Sequence, residues 1–349
     1  MPPPGSSPLD IAALIDLYQR VHGGWSEILG GLVDQPMLVV DLDTPGDVDG
    51  LVIPPLLGCV IVGISRSGAI DGSLSGVDVA LVEGDQPATP WVSVADLDLA
   101  LETMAVAVHG SPRASVALAQ VLRLGRPDSL DHDLLLESLA YSALQGGPEF
   151  GRWLSGRPIP SPPPARDGDL IVERDDDRLA LTLNRPQVRN AYNGVLRDEL
   201  CAALAMVCAD PSIRVVDLYG GGHDFCSGGD LSEFGTLTDP ITAHLIRTSR
   251  SAARLLGIVA DRVVAHLHGA CVGAGVELPA LAGRVVAEAD TRLRLPEVAM
   301  GLIPGAGGTA TLPRRIGRHR TAWLALTGQF IDATTARGWG LIDEIEAGS

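Results

Sequence analysis

The 349-residue sequence predicts an α/β protein: a larger α/β core preceded by a smaller α/β region. Three observations point there. The chain is 46% hydrophobic but only 4% aromatic, with 41 glycines and 25 prolines, so its core must be built from Ala, Val and Leu and its path must turn often. Short apolar runs read as strands, and Ala- and Leu-rich stretches carry helical spacing. Finally, SGRPIPSPPPARDGD (Ser155 to Asp169) is a proline-rich, extended linker that separates residues 1–154 from 170–349.

In the first region, Met37 to Leu42, Cys59 to Ile64 and Val77 to Val82 are apolar runs of strand length. Asp96 to Leu124 is helical in spacing but broken at Gly110-Ser111-Pro112. That gives two helices, with Ser111 as N-cap and Pro112 at the first position of the second. A further helix is expected from Asp133 to Leu144, ahead of GGPEFGRWL (Gly146 to Leu154). In the second region Val263 to Leu267 is a strand that runs through His268-Gly269 into a Gly-rich helix start.

Charge and cysteines exclude some functions. A net charge of −17 argues against a nucleic-acid partner, which needs a basic surface to neutralise phosphate. Five cysteines form an odd set without metal-ligand spacing, so free thiols in a reducing compartment are expected and no metal is. No apolar run approaches the ~18 residues of a membrane span, and MPPPGSSPLD lacks the basic start of a secretory signal. The expectation is a cytoplasmic protein without a membrane partner.

Three segments carry chemistry. GHDFCSGGDLS (Gly222 to Ser232) is a turn whose glycines let a main-chain N–H face outward. HGACVGAGVEL (His268 to Leu278) places Ala274 at a helix start, where unsatisfied N–H groups suit an oxyanion, and Glu277 three residues on, on about the same face. LPEVAMGLIPGAGGT (Leu295 to Thr309) sets Glu297 after Pro296, then a glycine-rich loop before a helix from Thr309. Each has a plainer reading: a Gly-rich turn, a first-turn glutamate complementing a helix dipole, and a loop capped through Thr309. Their joint occurrence is what points to a site.

These segments resemble the enoyl-CoA hydratase/isomerase family, the crotonase superfamily, from about Leu170 to Ile345. LALTLNRPQVRNAYN (Leu179 to Asn193) is similar to the family's first strand and CoA-proximal loop, and LALTGQFIDATTARGWGLIDEI (Leu324 to Ile345) to its late helix pair. The resemblance implies a core of ββα spiral turns. It places the two oxyanion amides on Gly229 and Ala274, the catalytic carboxylates on Glu277 and Glu297, and the amide that positions water on Gly305. It also implies that the acyl-CoA lies along Gly229, Asp230, Leu231, Ser232 and Ala191, with coenzyme A entering only as part of the substrate and no separate cofactor; its phosphates need local basic groups against the negative net charge, for which Arg185 and Arg189 in LNRPQVRN are the candidates, beside their plainer reading as solvated loop charges.

The activity so implied is syn addition of water to a trans-2-enoyl-CoA. The alternatives are an isomerase or another crotonase-type reaction on the same fold, or a non-catalytic acyl-CoA-binding subunit. Family members carry a helical tail after the core and assemble as trimers or dimers of trimers, so a homo-oligomer is expected. Residues 1–160 repeat neither the FCSGGD nor the GAGVE pattern, so residues 1–154 are read as a non-catalytic α/β region, with a degenerate crotonase-like unit as one origin for its strands. Its helices, Asp96 to Leu154, are expected to pack on the core and take the place of that tail.

Overall fold

Period-two alternation builds the first sheet. Helix α1 (Ile11–His22) precedes β1 (Met37–Asp41), β2 (Val60–Ser65), β3 (Val79–Glu83) and β4 (Val92–Val94), which lie side by side in that order, all parallel. Val60, Val62, Ile64, Val79 and Leu81 face one side, while Ile61, Ala80 and Val82 face the other and meet Leu14 and Tyr18 of α1. The computed structural model describes residues 8–22, 35–46, 51–70, 72, 74–84, 88–158 and 168–346. The expected strands coincide with β1 to β3, whereas β4 went unforeseen because three residues are too few to display alternation. Most of the linker expected at Ser155–Asp169 lies outside the described residues.

Helices α2 (Leu97–Gly110), α3 (Pro112–Leu124), α4 (Leu130–Gln145) and α5 (Pro148–Ser155) follow. The side chain of Asp96 caps α2 by accepting from Leu99 N at 2.9 Å. Ser111 stands at the N-cap of α3 as expected, with Pro112 next, but its hydroxyl does not cap. The Glu149 carboxylate of α5 does so instead, accepting from Arg113 N at 3.0 Å and Ala114 N at 3.1 Å. A carboxylate from a later helix thus closes the α3 start and ties α5 to it.

The second half is built on a six-stranded sheet. Strands β5 (Leu170–Asp175) and β6 (Arg178–Leu183) form an antiparallel pair; α6 (Gly194–Ala209) leads to β7 (Val215–Gly220), and α7 (Pro240–Ser249) and α8 (Ala252–Ile258) lead to β8 (Val263–Leu267). Next come β9 (Ala270–Val272), α9 (Ala274–Glu277), β10 (Arg284–Ala287), β11 (Arg292–Arg294), α10 (Gly308–Thr327), β12 (Ile331–Asp332), α11 (Ala333–Trp339) and β13 (Glu344–Ile345). The large sheet runs β13-β10-β8-β7-β6-β5 and is parallel apart from β5; β12-β11-β9 forms a small second one. The α/β core expected for residues 170–349 is thus present.

One apolar core joins the halves. It contains Val62 and Leu81 of the first sheet, Met104 and Leu118 of α2 and α3, and Leu312, Ile316 and Leu324 of α10. Polar contacts reinforce the seam, because α10 kinks at Gly317, with φ 77°, and sends three consecutive side chains into the first half. Arg318 Nη2 donates to Ser75 O at 2.9 Å, His319 Nε2 bonds Leu74 O at 3.0 Å and Arg320 Nε donates to Trp91 O at 3.0 Å. Buried Asp78 holds Arg123 of α3 at 2.5 Å.

Candidate active site

The loop after β7 is threaded between two neighbours. Tyr192 N donates to Gly228 O at 2.7 Å and Asp230 N donates to Tyr192 O at 2.9 Å, so the chain passes Gly229 as one bridge of a ladder. On the other side Cys226 pairs with Cys271, Val272 N reaching Cys226 O at 2.9 Å. Gly229 therefore faces a cleft opposite the start of α9, whose first residue is Ala274. That helix is shorter than expected. It has four residues and passes at Pro279 into a tight turn, so whatever it offers an oxyanion is the leading amide of a single turn rather than a long dipole.

Glu277 lies at the end of that turn, 2% exposed. Its Oε2 accepts from Ala306 N at 2.7 Å and Gly308 N at 2.8 Å, so the glycine-rich loop leading into α10 wraps the carboxylate. Glu297 opens a tight turn after Pro296, and its Oε2 is buried without a hydrogen-bond partner among the described residues. Gly273 makes this approach possible: it holds φ 52°, and a Cβ there would stand 2.5 Å from Glu297 Oε1.

Gly229, Ala274, Glu277, Glu297 and Gly305 all line one cleft of about 420 Å³. Burial raises the Glu277 carboxyl above its ordinary range, opposed by the backbone amides of Ala306, Gly308 and Gly305. Burial also raises Glu297 well above that range, and the Glu277 charge adds to it. Both carboxyls are thus pushed toward the protonated form, Glu277 to about 7, with the loop amides on Glu277 opposing the shift in favour of its anion.

The expected contacts to the thioester need correction. Arg185 is 3% exposed, and its guanidinium is spent on Asp169 at 3.1 Å and Asp230 at 2.8 Å, so it is a buried tie rather than a phosphate ligand. Asp230 in turn is occupied by Arg185 and by Ser232, whose hydroxyl donates at 2.7 Å. Ala191 is buried, its carbonyl accepting from Arg185. Leu231 and Arg189 are exposed, and neither these two nor Ser232 lines the cleft. The basic residues that do line it are Arg197, Arg247, Arg250 and Arg254.

Part of the cleft wall comes from α4, a helix expected to pack on the core but none of whose residues was expected in the site. Leu134, Glu137, Ser138 and Tyr141 all line it. Arg247 of α7 fastens α4 by donating to Ser138, Ser142 and Gln145, while Ser138 Oγ also bonds His244 Nδ1 at 2.9 Å. Glu137 accepts from Gly307 N at 2.7 Å and from both the amide and the hydroxyl of Thr309 at 2.8 Å. The available signal was the i, i+4 spacing of Asp133, Glu137 and Tyr141, three polar groups on one helix face.

Among the described residues no cluster of His, Cys, Asp and Glu could hold a metal, and no helix is long and apolar enough to cross a membrane.

The sequence model of the enoyl-CoA hydratase/isomerase family matches residues 176–348. A 2,3-dehydroadipyl-CoA hydratase of Escherichia coli is 36% identical over 177 residues, covering 51% of this chain and 69% of that one. A mevalonyl-coenzyme A hydratase of Beauveria bassiana is 35% identical over 198 residues, covering 54% and 70%. A probable enoyl-CoA hydratase of Mycobacterium tuberculosis is 33% identical over 178 residues, covering 50% and 68%. With these relatives and this fold, the chain belongs to the enoyl-CoA hydratase/isomerase family, the crotonase superfamily, whose members act on acyl-CoA thioesters.

Proposed function

We propose that the protein is an enoyl-CoA hydratase that adds water syn across the α,β double bond of a trans-2-enoyl-CoA. The observation that carries this reading is the facing pair Glu277 and Glu297, one carboxylate held by two backbone amides and the other buried with an oxygen unpartnered, in the cleft that Gly229 and Ala274 also line. The Gly229 and Ala274 amides receive the thioester oxygen, where charge grows as the enolate forms. Removing one such donor costs roughly 3–4 kcal/mol in known cases.

Water sits between the carboxyl groups. Glu277, the carboxyl whose loop amides favour its anion, takes a proton from water in its ionised form as the oxygen bonds to Cβ; the double-bond electrons move through the enolate. Glu297, the protonated partner, delivers its proton to Cα on the same face. Solvent exchange then returns each carboxyl to its starting state. Arg197, Arg250 and Arg254 on the cleft wall, ion-paired with Asp198 and Asp131 but not sealed from solvent as Arg185 is, are the basic groups offered to the phosphates of coenzyme A.

The test is crotonyl-CoA with the purified protein, following loss of the conjugated thioester absorbance and uptake of ¹⁸O from solvent. Hydration is expected, with Glu277→Gln and Glu297→Gln each lowering kcat by about 10²- to 10⁴-fold. Turnover without oxygen uptake would reassign the protein to the isomerase branch. Thioester binding with no turnover across a range of acyl groups would leave only a binding role.

A further inference from the structure

The loop that holds Glu277 is gripped twice. Ala306 and Gly308 turn their amides to Glu277, while Gly307 and Thr309 turn theirs to Glu137, so successive amides alternate between two carboxylates that approach from opposite sides. Glu137 belongs to α4, outside the residues that match the family. One turn later on α4, the Tyr141 ring covers Gly305 so closely that a Cβ there would lie 2.4 Å from it. The same helix therefore sets both ends of the segment Gly305–Thr309.

We propose that Glu137 is a positioning residue for the reaction, fixing the loop that holds Glu277 and carries the Gly305 amide. The inference rests on the hydratase reading. Its geometry stands on a side chain 3% exposed that spends both carboxylate oxygens on this loop. The groups around it are Glu277, Glu297 and Tyr141 in the cleft, Arg247 and His244 of α7 bonded to the serines beside it, and Arg314 of α10 on Asp133 one turn earlier. A glutamine at 137 would keep the size, but its NH₂ would face a backbone donor, so the Gly307 or the Thr309 amide would lose its acceptor.

The charge has a distinct consequence. Three carboxyl groups share one buried site, and burial followed by the Glu277 charge pushes Glu137 itself upward. The last proton leaves such a cluster against every negative charge already present, so removing one carboxyl moves that step to lower pH. If Glu297 must be protonated to act, the alkaline limb of the activity profile reports that step.

The experiment compares wild type, Glu137→Gln and Glu137→Asp with the same enoyl-CoA. In Glu137→Gln, kcat is expected to fall about 10- to 100-fold with KM within about threefold, and the alkaline limb to move down by roughly one pH unit. Glu137→Asp, charged but too short, is expected to lose kcat while keeping the wild-type limb. An unchanged kcat in Glu137→Gln overturns the proposal, as does a loss that merely follows the folded fraction with the limb unmoved. If wild type itself fails to hydrate, the hydratase reading has failed, and exchange of the Gly307 and Thr309 amides with infrared titration of the carboxyls still decides. Faster exchange and a downward titration in Glu137→Gln sustain the role of Glu137, and unchanged spectra reject it.

Discussion

Glu277 answers to two opposed requirements. The proposed hydration needs its charge, while the fold buries that charge near two further carboxyls and offsets it only with the amides of one loop. Its pKa is raised on folding, so the folded state binds a proton that the unfolded chain, titrating near about 4.3, has released. The stability this contributes is fully present below the unfolded value and is lost as pH rises through the raised one. Glu277→Gln keeps an acceptor oxygen for Ala306 and Gly308 but removes the ionisation. It is therefore expected to match wild type in thermal unfolding at pH 5 and to exceed it at pH 8, by about 2–4 °C for each kcal/mol relieved. A variant less stable than wild type at pH 8 would show that the loop depends on the charge itself.

At the scale of elements, apolar spacing served where one side of an element meets the core and misled where a polar face turns inward. β2 was legible because its alternating Val and Ile fill two cores. α4 was recognised as a helix, but its role was hidden because its inward side carries Asp133, Glu137, Ser138 and Ser142, all buried, while Leu135 and Leu139 are 48% and 47% exposed. Position along the chain also misled, since the loop before α10 takes its second carboxylate from α4, 170 and 172 residues away at Gly307 and Thr309. The α3 start hides in the same way. Ser111 has the right type and place for a cap, yet Glu149 satisfies the amides. Glu149→Ala should cost about 1–2 kcal/mol in urea unfolding, with kcat per folded molecule unchanged because Glu149 does not line the cleft. A loss below the error of the measurement would mean that water or Ser111 takes over the cap.

For the whole molecule, the question is whether residues 170–346 form a working unit without what precedes them. Leu312, Ile316 and Leu324 are fully or almost fully buried in a core they share with Val62, Leu81, Met104 and Leu118, so removing the first half would expose a continuous apolar surface on α10. Arg318, His319 and Arg320 would lose the carbonyls of Ser75, Leu74 and Trp91. The cleft would lose the wall formed by Leu134, Glu137 and Tyr141, and the Gly307 and Thr309 amides their acceptor. Deleting residues 1–154 is therefore expected to give a chain that aggregates or unfolds below the wild-type temperature and hydrates no enoyl-CoA, and supplying residues 1–158 as a separate chain is expected to recover part of the activity. Light scattering, thermal unfolding and the crotonyl-CoA assay decide it together: a soluble truncated chain with wild-type stability and turnover would make the first half an appendage. Loss of turnover in a chain that stays folded would assign the dependence to the α4 wall of the cleft, and loss of folding would assign it to the shared core.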